Sequence, residues 1–415
     1  MTTVILFILV LSILVFVHEL GHFLFAKKAG ILVYEFAIGF GPKVFSFMKG
    51  ETLYSLRLFP LGGFVRMAGE DGQDFNFKKG SLIYYTISYG KVDNIYLYKP
   101  KTISKELKEG VFLSADLEKE FFLELESKEK LAVKHDALIH LNTKTVFKVA
   151  PVERKYFAKT LLQRAEVVFA GPFFNILLTM LLFFVYALFT GIDAKLTVED
   201  VFHNKPAYKA GLKKGDVILE VNGKKVTNVD KFRYELMESK GKSISLLVKR
   251  GKRNIVFHVT PKKQGEIYQI GISFDESKLK QRATILMALK EGFTKTFEWS
   301  VFILDSFYKL FTNQIPLSSL GGPLQIGSIT GKVYQSGFAP LIRWTALLSL
   351  NLGIFNLLPI PALDGSRLFF LGIEAIFGKP VRREGIIHFI GFALLMFLMV
   401  LVTFNDIRKI FHINF

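Results

Sequence analysis

Four long apolar stretches constrain the fold of this chain more than any other feature of its sequence. They lie at about residues 3–26, 167–189, 340–363 and 386–404. Each is long enough to cross roughly 30 Å of hydrocarbon as a helix. Half of the 415 residues are hydrophobic, which is a high fraction for a soluble protein of this length. The sequence therefore predicts a polytopic α-helical membrane protein with four transmembrane helices.

The formal net charge of +18 raises the question of a nucleic-acid partner. The lysines are spread along the chain and form no single basic stripe with interleaved aromatic residues, so we expect no nucleic acid. Loops that flank a lipid bilayer with anionic head groups explain the charge better. The chain has no cysteine, so a zinc site would need His, Asp or Glu ligands.

Basic residues flank three of the apolar stretches and indicate how the chain crosses the membrane. Lys27 and Lys28 follow the first stretch, and Lys159 and Arg164 precede the second. Four more lie between the third and the fourth: Arg367, Lys379, Arg382 and Arg383. The positive-inside tendency predicts that these loops are cytosolic. The N-terminus and the long segment between the second and third stretches would then be extracytoplasmic.

The first apolar stretch contains H-E-L-G-H, which places His18, Glu19 and His22 in a predicted helix. Histidines four residues apart project from one helix face and can bind one metal ion, with the glutamate beside them as a general base. Zinc lowers the pKa of a bound water to about 7. The alternative is a pair of helix histidines that are hydrogen-bonded to neighbouring groups and bind no metal. Burial in hydrocarbon disfavours it, because ionisable groups are costly there.

A catalytic zinc site needs a third protein ligand and one open position. The best candidate is Asp364, in NLLPIPALDG, where two prolines and a glycine interrupt the third apolar stretch. Taken alone, Asp364 would be interpreted as a turn or helix-capping residue. Asn356 should face the same cavity, where its amide could bind a substrate carbonyl. Hydrogen bonding between helices is the alternative role for Asn356.

The two motifs together resemble the site-2 protease family of intramembrane zinc metalloproteases, in particular the bacterial regulator-of-sigma-E protease group. H-E-L-G-H lies in the first span, and N-x-x-P-x-P-x-L-D-G lies in the third, at residues 356–365. Further matching segments are GFGP at 39–42, PLGGFVRMAGE at 60–70, AGPFFN at 170–175 and GGPLQIG at 321–327. The resemblance covers most of the chain except residues 76–152.

The resemblance implies that His18, His22 and Asp364 bind Zn²⁺, that Glu19 is the general base, and that Asn356 orients the substrate. It implies hydrolysis of peptide bonds within single-span membrane proteins, such as an anti-sigma factor, after a first clip by another protease. The implied location is the bacterial cytoplasmic (inner) membrane, with the active site toward the cytosolic leaflet. The alternative is a non-catalytic membrane scaffold that captures chain ends.

Two further segments are candidates for binding the substrate. Residues 28–75 alternate apolar and polar side chains around Gly and Pro, which predicts a β meander at the membrane face. An extended substrate could add to this meander as a strand. The predicted contact residues are Leu61, Gly62, Gly63, Phe64, Val65 and Arg66.

The second segment, residues 191–280, resembles a circularly permuted bacterial PDZ domain. AGLKKGD would be its characteristic turn. The strand that binds a chain-end carboxylate would be formed by Tyr268, Gln269, Ile270, Gly271 and Ile272. A spacer with an empty groove is the alternative. The best-known enterobacterial members have two such modules, whereas this chain has room for one.

These observations predict eight consecutive parts of the chain. They are the first transmembrane helix (1–27), a membrane-associated β meander (28–75), a β-rich cytosolic insert of unknown role (76–152), the second transmembrane helix (153–190), one extracytoplasmic PDZ domain (191–280), an amphipathic membrane-surface segment (281–338), the third transmembrane segment (339–378), and the fourth transmembrane helix with the C-terminal tail (379–415).

Overall fold

The computed structural model describes residues 2–70, 77–101, 106–143, 145–193, 195–265, 267–274, 280–315, 321–381 and 384–411. The basic residues Arg382 and Arg383, used above to predict orientation, lie outside the described residues. The contacts divide the chain into two units, Met1–Thr179 with Thr296–Phe415 and Met180–Lys295.

The helices that the structure describes are α1 (Thr2–Lys28), α2 (Leu161–Thr190), α3 (Pro206–Lys209), α4 (Val229–Glu238), α5 (Ile285–Phe311), α6 (Pro323–Gln335), α7 (Phe338–Leu357), α8 (Asp364–Phe377) and α9 (Glu384–Phe411). Four of them are long and apolar enough to cross a membrane, namely α1, α2, α7 and α9. They agree with the four predicted apolar stretches. The third was predicted to run to residue 363, but α7 ends at Leu357. The N–H groups missing from Pro359 and Pro361 explain this earlier end.

Glycines allow α1 and α2 to approach each other closely. A Cβ atom on Gly21 would lie 2.3 Å from the carbonyl oxygen of Ala170, and one on Gly171 would lie 2.2 Å from His22 Nε2. Small residues commonly permit such close contact between membrane helices. The glycines therefore place α2 directly against the histidine face of α1.

Two long strands, β1 (Val33–Lys49) and β2 (Thr52–Met67), bend back on themselves to form one sheet. Phe36 lies opposite Tyr54 on one side and opposite Val65 on the other. The first part of β1, residues 33–38, is therefore in the middle of the sheet. Residues 43–49 form one edge, which we call the distal edge. Residues 63–67 form the other edge, which we call the outer strand.

The predicted β-rich insert is a closed barrel, which the sequence analysis did not predict. Its strands are β3 (Leu82–Ser88), β4 (Lys91–Tyr96), β5 (Leu107–Asp116), β6 (Phe122–Leu125), β7 (Lys130–Asn142) and β8 (Thr145–Lys148). Antiparallel pairs join β4 to β3, β3 to β5, β5 to β6 and β6 to β7. A parallel pair between β4 and β7 closes the ring, with Ile95 opposite Ile139. The predicted fold class was therefore incomplete, because this domain adds a third β structure to the predicted meander and PDZ domain.

Phe147 in β8 joins the barrel to the sheet. Its ring centroid lies 5.2 Å from that of Tyr34, in the middle of the sheet. The guanidinium of Arg66, in the outer strand, lies 4.4 Å from the centroid of the same ring. Leu32, Ala68 and Ala150 complete this buried cluster. The barrel thus packs against the base of the outer strand.

The second unit contains the predicted PDZ region and has a hydrophobic core of its own. Its strands are β9 (Ile192–Asp193), β10 (Leu196–Val201), β11 (Val217–Val221), β12 (Lys224–Lys225), β13 (Ile244–Arg250), β14 (Arg253–Val259), β15 (Lys262–Gln264), β16 (Ile267–Gln269), β17 (Ile272–Phe274) and β18 (Lys280–Gln281). The main sheet has the order β14-β13-β11-β10-β17, so β17 is at its edge. Val198, Val221 and Leu246 are fully buried in the core beneath it.

Candidate metal centre

Three side chains from distant parts of the sequence converge on one point. The Nε2 atoms of His18 and His22 are 3.2 Å apart. Asp364 Oδ2 lies 3.1 Å from the first and 3.4 Å from the second. Ligand atoms bound tetrahedrally to zinc at its usual bond lengths are about 3.3–3.4 Å apart. The three atoms therefore have the spacing of one face of a zinc coordination sphere.

The donor set also fits a cation chemically. Asp364 Oδ2 is buried without a hydrogen-bond partner in the described part of the chain. A buried carboxylate oxygen without a partner is costly, and a bound cation would offset that cost. Two imidazoles and one carboxylate are a common catalytic zinc set, and three protein ligands leave a fourth position for water or substrate.

The other ring nitrogen of each histidine is held by α2. His22 Nδ1 donates a hydrogen bond to the carbonyl oxygen of Val167 at 2.8 Å, which leaves Nε2 without a proton and free to bind metal. The amide of Asn175 lies 3.3 Å from His18 Nδ1. Its Oδ1 atom is buried without a partner, and the amide can be turned so that Oδ1 accepts the Nδ1 proton. That orientation leaves the Nε2 of His18 free for metal as well.

Asn175 is a site residue to which the sequence analysis gave no role. It is fully buried, and its backbone carbonyl accepts hydrogen bonds from the hydroxyls of Thr179 and Ser349. The sequence did contain a signal, because Asn175 is the one strongly polar side chain in the apolar part of the second span. A polar residue in a membrane helix commonly marks a functional site.

Glu19 lies between the metal ligands and the sheet. Its side chain is buried and is not one of the three converging groups. A Cβ atom on Gly63, in the outer strand, would lie 2.6 Å from Glu19 Cγ and 2.8 Å from the carbonyl oxygen of Ala37. The outer strand therefore passes directly beside the candidate general base, and only glycine fits at that point.

The turn that carries Asp364 is supported by α9. Ala362 has a positive φ of 78°, and its N–H donates to His388 Nδ1 at 3.1 Å. Gly391 packs against Pro361, where a Cβ atom would approach to 2.2 Å. The predicted substrate-orienting residue, Asn356, is half-buried in the last turn of α7, just before this turn.

The residues predicted to bind an extended substrate all lie in β2. The side chain of Leu61 is outside the described residues. Gly62 packs against the ring of Phe40, and Phe64 stacks on the same ring. Val65 is buried, and Arg66 covers Phe147. Because these side chains are engaged within the protein, a substrate strand would pair with the backbone.

The residues predicted to bind a chain-end carboxylate run from β16 to the first residue of the edge strand β17. Tyr268 and Gln269 are in β16, Ile270 is buried in the core, and Gly271 has a positive φ of 80°. Ile272 is the first residue of β17. A cavity of about 250 Å³ beside this loop is lined by Gln269, Gly271, Pro206, Gln264 and three lysines, Lys205, Lys262 and Lys263.

Apolar helices that bring two histidines and an aspartate together beside a buried glutamate define the class of membrane-embedded zinc metallopeptidases. The chain belongs to peptidase family M50, whose family model matches residues 6–398. It is 42% identical to the zinc metalloprotease RasP of Geobacillus kaustophilus, over 99% of this chain and 98% of that protein. It is 38% identical to the regulator of sigma-W protease RasP of Bacillus subtilis, over 99% of each chain.

These matches confirm the resemblance to the site-2 protease family. They also confirm that the chain is a zinc metalloprotease with Zn²⁺ as its cofactor. Among solved structures, the PDZ domain of an SdrC-like protein from Listeria monocytogenes aligns with 21% of this chain and 94% of its own length, at 20% identity and a TM-score of 0.19.

Proposed function

We propose that this protein cleaves single-span membrane proteins, such as an anti-sigma factor, within the transmembrane helix after another protease has made a first clip. The observation that carries the proposal is the convergence of His18 and His22, in the apolar helix α1, with Asp364, the first residue of α8. The relative from Bacillus subtilis is named for regulating a sigma factor, which supports this substrate class.

His18, His22 and Asp364 would hold the zinc ion, which supplies a Lewis acid and activates a water molecule. Glu19, which is buried beside the outer strand, would accept a proton from water and donate it to the amine of the departing segment. Asn356 would orient the substrate carbonyl from the last turn of α7. The buried surroundings of Glu19 keep bulk water from competing for these contacts.

A transmembrane substrate must unwind before cleavage, because its helical hydrogen bonds shield the peptide bond. Unpaired backbone groups are costly in hydrocarbon, so unwinding needs new partners. The outer strand offers them, because β2 pairs only with β1 in the described part of the chain. We therefore propose that the substrate pairs with residues 61–66 and passes beside Glu19.

The variant Glu19→Gln tests the activity directly. Expressed in the native host in place of the wild type, it should cause pre-clipped single-span proteins to accumulate as uncut membrane stubs. The metal ligands are untouched, so the purified variant should still bind one zinc ion. Unchanged cleavage in Glu19→Gln would contradict the proposal and favour a non-catalytic scaffold.

The two edges of the sheet provide a matched test of strand addition. A photo-cross-linking amino acid replaces Phe64 in the outer strand or Phe47 at the distal edge, each in the Glu19→Gln background. The accumulated stub should cross-link to position 64 and not to position 47. Equal cross-linking at both positions, or none at position 64, would contradict pairing with the outer strand.

The function of residues 191–280 is inferred mainly from their resemblance to a PDZ domain. We propose that residues 268–272 receive the free carboxylate of a clipped substrate on the extracytoplasmic side of the bacterial cytoplasmic membrane. The position of β17 at the sheet edge supports this role, because PDZ grooves bind a peptide as an added strand. A peptide with a free C-terminus should bind the full-length protein more tightly than its amidated form.

A further inference from the structure

The helix that carries Asp364 has two faces of opposite character. Its 14 residues place Asp364, Arg367 and Glu374 within about 80° of one another around the helix axis. Phe369, Ile376 and Phe377 are more than half exposed on the other side. The charged face of α8 is therefore directed into the protein, and its apolar face is directed outward.

Besides Asp364, the two other charged residues on the inner face, Arg367 and Glu374, form ion pairs with other elements. Arg367 Nη1 donates to Glu70 Oε1, three residues beyond the end of β2. Glu374 accepts a bidentate pair from Arg164, at 2.6 and 3.0 Å, in the first turn of α2. Bidentate arginine–carboxylate pairs fix orientation as well as distance.

The two partners are themselves fixed in place. Glu70 follows Ala68, whose carbonyl oxygen accepts a hydrogen bond from the N–H of Tyr156 at 2.8 Å. Arg164 is only 12% exposed at its side chain, and it precedes by three residues Val167, which binds His22. The pairs therefore tie α8 to the outer strand and to the helix that orients the histidines.

The position of Asp364 depends on how α8 is held. Asp364 is the first residue of the helix and follows an irregular turn, so the turn alone does not set the helix direction. The metal spacing tolerates little change, because zinc bonds vary by only a few tenths of an ångström. A tilt of α8 would move the carboxylate away from both histidines.

We propose that Glu70 and Arg164 are positioning residues for the zinc site. They act through Arg367 and Glu374 to hold α8 so that Asp364 completes the ligand set. Neither residue contacts the three ligand atoms or is itself a ligand. The inference rests on the ligand set described above. In the sequence analysis Arg164 only indicated the orientation of the second span, and Glu70 was only part of a matching segment.

The test measures zinc affinity of the purified full-length protein by competition with a chromophoric chelator. Glu70→Gln and Arg164→Gln should each weaken zinc binding about 10-fold, the lower end of the range for residues that support ligands. Glu70→Arg and Arg367→Glu should each weaken zinc binding when made alone. The double variant Glu70→Arg/Arg367→Glu restores the ion pair with reversed charges and should recover at least part of that affinity. A restored ion pair would also reverse a general loss of folding, so unchanged circular dichroism in the single variants is needed to assign the lost affinity to a displaced Asp364.

Glu51→Gln is the matched control, because it breaks ion pairs at the turn between β1 and β2, with Lys27 and Arg154, and neither partner is in α8. It should leave zinc affinity unchanged. Wild-type affinity in Glu70→Gln and Arg164→Gln, or equal weakening in Glu51→Gln, would overturn the inference. Zinc retained by His22→Ala would instead contradict the ligand set itself, so the two failures are distinguishable.

Discussion

Single residues show how far the sequence could predict the site. H-E-x-x-H at helical spacing was enough to predict a metal site at His18 and His22, because the motif encodes its own geometry. Asp364 was predicted as the third ligand because it lies where the third apolar stretch is interrupted and because the family resemblance implies that role. Asn175 and Glu70 had no predicted role in the site, because their partners are more than 150 residues away along the chain and nothing local indicates the pairing.

The first prediction concerns the histidine-orienting amide. Asn175→Leu removes the group that fixes the Nδ1 proton of His18, so zinc affinity should fall about 10- to 100-fold. Competition with a chromophoric chelator measures the zinc affinity. Asn351→Leu is the control, because Asn351 is an exposed asparagine in a membrane helix and should bind zinc like the wild type. Unaltered affinity in Asn175→Leu would show that the amide does not orient His18.

A second prediction uses two helix glycines. Gly171→Ala places a methyl group within 2.2 Å of His22 Nε2, so the imidazole must move and zinc content should drop sharply. Gly372→Ala in α8 meets nothing within 4 Å, and it should stabilise the protein by about 0.5–1 kcal/mol, because alanine favours helix. Zinc analysis and thermal melting distinguish the two. Normal zinc content in Gly171→Ala would contradict the described approach of α2 to α1.

Among the secondary-structure elements, the long helices were the most predictable. Continuous apolar runs locate α1, α2 and α9, and the prolines after Leu357 explain where α7 ends. The sheet was predicted as a meander, but the sequence could not predict which segments form its edges. Each of β1 and β2 bends, so that one part of β1 pairs with two different parts of β2. A turn at Glu51 fixes this arrangement through ion pairs with Lys27 and Arg154.

The turn predicts a pH dependence of stability. Hydrogen bonds from Arg154, reinforced by Lys27, lower the pKa of Glu51 from 4.5 to about 2. The unfolded chain binds the proton near pH 4.5, so this stabilisation is complete above that pH and is lost as the pH falls toward 2. Glu51→Gln should cost about 1 kcal/mol at pH 7, and the cost should shrink as the pH falls through 2, where Glu51 becomes protonated in the folded protein too. Melting curves across this range check it, and an equal deficit at every pH would contradict the shift.

For the molecule as a whole, the sequence pattern did not reveal that the insert closes into a barrel. The insert was predicted to be β-rich from short alternating segments, and the described residues there form six strands, β3 to β8. Its closure depends on a parallel pair between Ile95 and Ile139, which are 44 residues apart. Alternation of apolar residues identifies strands but does not specify such distant partners. The contact of the barrel with the sheet was unpredictable for the same reason.

The contact between the barrel and the sheet provides a prediction about stability. Phe147 is 4% exposed between the barrel and the sheet, and Phe147→Ala should destabilise the protein by about 3–5 kcal/mol. Tyr89→Ala removes an aromatic side chain from the same barrel that is 97% exposed, and it should have no effect. Thermal melting and limited proteolysis of residues 77–150 compare the two. Equal stability of both variants would contradict a packed junction.

Because the apolar residues of α8 face outward, the lipid around the protein should affect how well Asp364 binds the metal. Within the described part of the chain, Phe369, Ile376 and Phe377 stay more than half exposed, so we expect lipid acyl chains to cover them and to favour the inward position of the helix. Replacing native lipid with a short-chain surfactant would then release the carboxylate before any helix melts. The protein would lose its metal during purification while its circular dichroism remained normal, and returning it to bilayers would restore uptake.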